Sequence, residues 1–250
     1  MTPENISAAE PNDASMGEVS RIAGVFFEPG KTFADIAARP SFLLPIILMI
    51  LAGLASSYFI GQKIGWERMF RHQAETNSRM QQMSAEQKEQ TIAMQVKFAS
   101  IGAFAGPIVA VPLMGLIEAG ILLGIVAGIM SAPIRFKQVF AVVCWAGLTY
   151  VVSAILTIVV IFLKNPDDFN MQNPLAFNPA AFMDPQTSSK FLYSLASSID
   201  LFSFWAIFLI ATGLKAAAGK KLSFGGALFS VILPWGVYVL GKSALAGVFS

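Results

Sequence analysis

Charge is what this sequence has least of. Only 13% of its 250 residues are Asp, Glu, Lys or Arg, whereas soluble domains carry about a quarter. The charge that remains is unevenly placed, because long stretches have none while residues 62–97 hold ten charged side chains. This segregation, in a chain that is 55% hydrophobic, argues against an ordinary soluble domain and is typical of an integral membrane protein.

Cysteine and histidine are nearly missing. The single cysteine, Cys144, cannot form an intramolecular disulfide, and the single histidine, His72, has no second histidine with which to share a metal ion. The sequence also has no G-x-S-x-G turn and no H-E-x-x-H helix, the signatures of common hydrolases. We therefore expect no enzymatic activity, no catalytic residues, no metal site and no cofactor. A net charge of +2 is too small to indicate binding to nucleic acid.

Long apolar runs are abundant. A transmembrane helix needs ~20 mostly apolar residues, and five stretches meet this requirement: about 42–61, 103–131, 139–163, 191–214 and 224–249. The sequence predicts an all-α, polytopic membrane protein whose five-transmembrane-helix bundle occupies residues 41–250. A disordered polar segment, 1–18, and a pair of amphipathic interfacial helices, 19–40, are expected to precede the bundle.

The orientation follows from basic residues in loops. They divide eight against eight between the two sides, but those at 132–138 and 215–223 are concentrated in short loops. This density favours a cytoplasmic N-terminus and an external C-terminus.

The segment "GVFFEPGKTF", 24–33, raises the possibility of a nucleotide site, because Gly30, Lys31 and Thr32 match the end of a phosphate-binding loop. The match fails further back, where Val25 stands at the position that needs glycine. Glu28 has the wrong charge for phosphate, and Pro29 lacks a backbone N–H donor. We therefore expect no nucleotide partner.

The same segment fits two amphipathic helices at the membrane surface. Thr32 would cap the second helix with Asp35 returning the bond, and Arg39-Pro40 would end it. Basic side chains would meet anionic lipid headgroups while apolar ones enter the headgroup boundary. The candidate membrane-surface residues are Phe26, Phe27, Lys31, Phe33, Ile36 and Arg39, with Arg21 near the same headgroups.

Residues 62–102 predict a helical hairpin outside the membrane. They are rich in good helix formers, and Ser84 followed by Gln87 indicates a capping box at the start of a second helix that continues into span two. The hairpin either binds a partner or packs on itself and shields the bundle.

Three charged residues fall inside the apolar runs and are candidate intramembrane sites: Glu118, Asp200 and Lys242. Asp200 and Lys242 are expected at a similar depth on neighbouring antiparallel helices, which suggests an ion pair. Alternatively, Lys242 extends alone to the headgroups.

Gly120, Gly124 and Gly128 form a small-xxx-small ridge on span two. Such a ridge lets another helix approach closely. The approaching helix could belong to the same bundle or to a second copy of the chain.

A further indication comes from "FFEPGKTFADIAARP", 26–40, which leads into five spans, and from "FKQVFAVVCWAGLTYVV", 136–152. These segments resemble the bacterial branch of the Yip (Ypt/Rab-interacting protein) domain family. The resemblance implies five helices, a cytosolic N-terminus, location in a bacterial inner membrane and a non-enzymatic role that organises membrane or protein partners. Since the Asp-Leu-x-Gly-Pro motif of eukaryotic members is absent, it does not extend to a Rab partner.

The expected partners are therefore membrane lipid and a second copy or other membrane proteins. The alternative function is transport of an ion, lipid or small solute along a polar path near Glu118, Asp200 and Lys242.

Overall fold

The fold is taken from a computed structural model that describes residues 16–76, 78–166, 169–170, 173–185 and 187–248. Most of the segment predicted to be disordered, residues 1–15, lies outside the described residues. In chain order the α-helices are α1 (Glu18–Phe27), α2 (Pro29–Ala38), α3 (Leu43–Phe59), α4 (Trp66–Thr76), α5 (Ser78–Gln81), α6 (Ala85–Leu123), α7 (Phe136–Ala146), α8 (Leu148–Leu163), α9 (Lys190–Ser198), α10 (Leu201–Ala218) and α11 (Phe224–Val248).

Within the described residues, five helical segments are long and apolar enough to cross a membrane. They are Leu43–Ile64, Ala85–Ile129, Phe136–Leu163, Leu201–Lys221 and Phe224–Val248. The first two extend α3 and α6 with short π-helical turns, the third joins α7 and α8, and the fourth extends α10 with a 3₁₀ turn. This arrangement confirms the prediction of an all-α membrane protein with five spans.

The centre of the bundle is formed by α7 and α10. Every residue from Val139 to Ala146 is buried, and Trp145 is completely enclosed, with its indole Nε1 donating a hydrogen bond to the carbonyl oxygen of Ser41 at 2.9 Å. The helix α10 contacts α2, α7 and α11, while α3 packs between α6 and α8. Most large apolar side chains on the outer helices point away from this core, as expected where lipid is the surrounding solvent.

The predicted helical hairpin is present. Ser84 caps α6, because its hydroxyl accepts from the Gln87 backbone N–H while the Gln87 side chain accepts from the Ser84 N–H, each at 3.2 Å. The arms α4 and α6 enclose a small core of Ala74, Met80 and Ile92.

The second arm of the hairpin continues into span two without interruption. The whole segment Ala85–Ile129 contains 45 residues, about 67 Å at 1.5 Å per residue. The hydrocarbon core of a bilayer is only ~30 Å thick. More than half of this segment therefore extends beyond the hydrocarbon.

The N-terminal helices pack into the bundle, which corrects the prediction for residues 19–40. Phe33 and Ile36, expected at the membrane surface, are completely buried within the protein. Phe33 can pack against α10 because Gly213 of that helix has no side chain. A Cβ at Gly213 would lie 2.8 Å from Cδ1 of Phe33. The cap of α2 also differs, since Glu28 occupies the N-cap position and the Thr32 hydroxyl donates to its carbonyl oxygen at 2.9 Å.

The fourth span begins later than predicted. The expected run from 191 to 214 is divided into α9 and α10, with Asp200 at the N-cap of α10. The backbone N–H groups of Phe202 and Ser203 donate to Asp200 Oδ1 at 2.9 and 3.0 Å. The mean hydropathy of this stretch conceals the break between α9 and α10, because the residues on both sides of the break are hydrophobic.

Candidate functional site

The buried face of α1 and α2 carries an ionic cluster. The side chains of Arg21 and Asp35 are only 5% and 10% exposed, and Arg21 Nε donates to Asp35 Oδ2 at 2.7 Å. Arg21 also donates to Ser41 Oγ at 2.8 Å and to the Arg39 carbonyl oxygen at 3.1 Å. Arg39 forms a second ion pair with Asp35. These bonds fix the N-terminal helices to the beginning of span one.

The cluster also changes the role expected for its members. Burial raises the pKa of the Asp35 carboxyl, but hydrogen bonds from Arg21 and Arg39 outweigh burial and hold this pKa below its ordinary value. Arg21 was expected near lipid headgroups and is instead buried. The Asp35 carboxylate binds the two arginines and accepts from the Met16 backbone N–H at 3.4 Å, rather than bonding to the N-terminus of α2. Phe26 packs edge-on against Trp205, with ring centroids 5.2 Å apart.

Other members of the predicted membrane-surface set remain on the outside. Phe27 is 84% exposed. The Lys31 and Arg39 side chains are 72% and 49% exposed. Their contact with lipid stays a prediction.

Asp200 and Lys242 do not form the predicted ion pair. No ion pair joins them in the described part of the chain, and the Asp200 carboxylate accepts from the Phe202 and Ser203 N–H groups and from the Ser203 hydroxyl. The prediction failed because equal depth was estimated from a continuous fourth span. A helix N-terminus stabilises a carboxylate without a lysine.

Glu118 lines a cavity within the membrane-spanning part of the bundle. The cavity has a volume of about 310 Å³ and lies between α3, α6, α7, α8 and α10. Glu118 is exposed in the bundle without lipid, and within the described residues no hydrogen bond or ion pair to its carboxylate is found. The cavity lining contains no Lys, Arg or His, and neither Asp200 nor Lys242 belongs to it.

Small residues leave the space for this cavity. Ala52 and Gly53 face it from α3, Gly115 from α6, and Gly147 from the break between α7 and α8. A Cβ at Gly147 would lie 2.6 Å from the Met49 sulfur, so any larger residue there would have to displace the Met49 side chain. The sequence indicated the charge of Glu118 but gave no sign of the void, which depends on five helices meeting.

The predicted glycine ridge faces outward. A Cβ added to Gly120, Gly124 or Gly128 would meet no other atom within 4 Å, and the same holds for Gly102 and Gly106 of the same helix. Of the two possibilities raised by the sequence, packing within the bundle is therefore wrong for these residues. The ridge is open to lipid or to another membrane helix.

The described residues thus define a class: a multi-pass α-helical membrane protein with five spans, docked N-terminal helices and an extramembrane hairpin. The model of the Yip1 domain family matches residues 23–245. Because this match covers nearly the whole chain, the protein belongs to the Yip1 domain family. No curated protein and no solved structure matches the sequence significantly.

Proposed function

We propose that the protein is a non-enzymatic organiser of the membrane that acts by associating with a second copy of itself through α6. The observation that carries the proposal is the uncovered outer surface of this helix. Within the membrane the surface presents Gly120, Gly124 and Gly128, where an added Cβ would meet no atom of another described helix within 4 Å. Small residues allow two transmembrane helices to approach closely and gain packing contacts that lipid does not supply.

The extramembrane end of α6 is uncovered as well. Met94, Phe98 and Ile101 recur at helical spacing and are 55%, 67% and 58% exposed. Met94 lies about 50 Å along the helix from Ile129, beyond the ~40–45 Å of a bilayer with its headgroups. By the same measure Phe98 lies about 46 Å and Ile101 about 42 Å from Ile129, so Met94 and Phe98 extend past the lipid, where exposed apolar side chains favour a protein partner.

A second copy fits both parts of this surface. The partner must offer a membrane helix that continues well beyond the bilayer, and α6 of another copy is such a helix. Two parallel copies related by a two-fold axis along the membrane normal would pair α6 with α6. The expected orientation, with α1 and α2 in the cytoplasm, places the hairpin on the external side.

Energy transfer between labelled copies in lipid vesicles tests this proposal. We expect transfer for the wild type and a marked loss for the double variant Gly120→Leu/Gly124→Leu, because leucine holds the two backbones apart. Gly241→Leu on α11 is the matched control, since Gly241 is also open to the outside, and should retain the wild-type signal. Equal transfer in all three proteins would refute association through α6.

A second candidate function is transport of a small solute, and the cavity at Glu118 is the observation that favours it. The predicted path through Asp200 and Lys242 has no support, because neither residue lines the cavity. Solute flux into proteoliposomes that is lost in Glu118→Gln would support transport over organisation, and flux that is unchanged would reject it.

A further inference from the structure

We propose that the cavity beside Glu118 binds a small organic cation with an apolar body, such as a quaternary amine. The site lies within the membrane and does not depend on association between copies. It rests on the charge of Glu118, the chemistry of the cavity walls and the cavity size.

The charge of the cavity is unbalanced. Glu118 is the only lining residue with a carboxylate, and no basic side chain faces it across the cavity. A carboxylate in hydrocarbon is costly unless an opposite charge or hydrogen-bond donors compensate it. Since no bond from a described residue reaches Glu118, a cation bound in the cavity would supply this compensation.

The walls select the kind of cation. Met49, Met114 and Tyr150 provide two thioethers and one aromatic ring, and apart from Glu118 and the Cys144 thiol the rest of the lining is aliphatic or glycine. Aromatic faces and polarisable sulfur atoms suit an organic cation. A hard metal ion would need about six oxygen ligands, and the side chains of the lining supply oxygen only from Glu118 and Tyr150.

The dimensions limit the ligand to a small one. The volume of about 310 Å³ is at the lower end of the ~300–1,000 Å³ range of ligand pockets. Because Glu118 is exposed on the outside of the bundle, the cavity opens sideways toward the bilayer rather than lying in a closed pore. A cation with a single ring fits these conditions.

Isothermal titration calorimetry in nanodiscs of zwitterionic lipid tests the proposal, with empty nanodiscs as the blank. The probe is benzyltrimethylammonium, and neopentylbenzene is its neutral isostere, with carbon in place of nitrogen. We expect the wild type to bind the cation at least about tenfold more tightly than Glu118→Gln does, and more tightly than it binds the neutral compound. Glu86→Gln, on the extramembrane part of α6, should bind the cation as the wild type does.

A second variant keeps Glu118 and reduces the cavity. Ala154→Leu, on the α8 wall, should also weaken binding of the cation. This variant keeps the proposal testable if Glu118→Gln does not fold. Equal affinity of wild type and folded Glu118→Gln, equal affinity for the cation and its isostere, or no effect of a folded Ala154→Leu would each overturn the proposal. These results would leave association through α6 unaffected, since that is measured by energy transfer.

Discussion

At the scale of single residues, the ion pair between Arg21 and Asp35 is the most consequential charge contact outside the bilayer. Asp35→Asn leaves Arg21 buried with its charge uncompensated, and breaking a buried pair costs ~3–5 kcal/mol. We predict a clearly lower thermal midpoint in detergent at pH 7 for this variant. Lys31→Ala is the control, because its side chain is 72% exposed and such changes are usually within ~0.5 kcal/mol. A wild-type midpoint for Asp35→Asn would contradict the role of the pair.

The same pair predicts a dependence on pH. The pKa of Asp35 is lowered in the folded protein, so its contribution to stability is complete above the unfolded value of about 3.9. It is lost as the pH falls through the lower, folded pKa. Thermal midpoints measured from pH 6 downward should therefore fall more steeply below about pH 4 in the wild type than in Asp35→Asn. If the thermal midpoints of the two proteins fell in parallel with pH, Asp35 would not be the cause of the loss of stability in acid.

At the scale of helices, the docking of α2 depends on Phe33. This side chain is completely buried against α10, whereas Phe27 at the end of α1 is 84% exposed. We predict that Phe33→Ala lowers stability by ~3–5 kcal/mol, the usual cost of removing a buried phenylalanine. Phe27→Ala should stay within ~0.5 kcal/mol.

Denaturant or thermal unfolding in one detergent measures both variants. Protease access to the segment before α3 offers a second measurement, since undocking of α2 exposes its backbone. Equal, small effects of both variants would place Phe33 at the lipid surface instead.

Helices also show what the sequence could predict. Ser84 and Gln87 located the start of α6 correctly, because a capping box is a local interaction between residues three apart. The apolar face of α2 was recognised, but its partner was not, since periodicity cannot distinguish a protein core from the edge of a bilayer. Phe33 of α2 can pack against α10 because Gly213 has no Cβ, and Gly213 is far from α2 in the sequence.

The intramembrane charges illustrate the same limit. Glu118 and Asp200 were both identified as polar positions in apolar runs. Their surroundings differ, because Asp200 lies at a helix start while Glu118 faces a cavity lined from five helices. The start of α10 can be recognised locally, because Ser203 stands three residues after the N-cap Asp200 and bonds to it. A cavity lined from several helices has no such local pattern.

At the scale of the whole molecule, the orientation in the membrane stays a prediction from the basic loops. Cysteines placed at Lys221 and at Phe182, which is 93% exposed, should lie on opposite sides. With a cytoplasmic N-terminus, an impermeant thiol reagent added to intact cells should label the cysteine at Phe182 and not the one at Lys221. The reverse labelling would show the inverted orientation, and disruption of the cells should expose both.

The central claim, association of two copies through the outer face of α6, is tested most directly by cysteine crosslinking in native membranes. Cysteines are introduced singly at Gly106, Gly120 and Gly124 on the outer face and, as controls, at Ala119 and Leu122, which are buried in the bundle. The wild type serves as the blank, because its Cys144 is buried. We predict crosslinked dimers at the three glycine positions and none at the controls. Dimers that form equally at all positions, or at none of the glycines, would contradict the account.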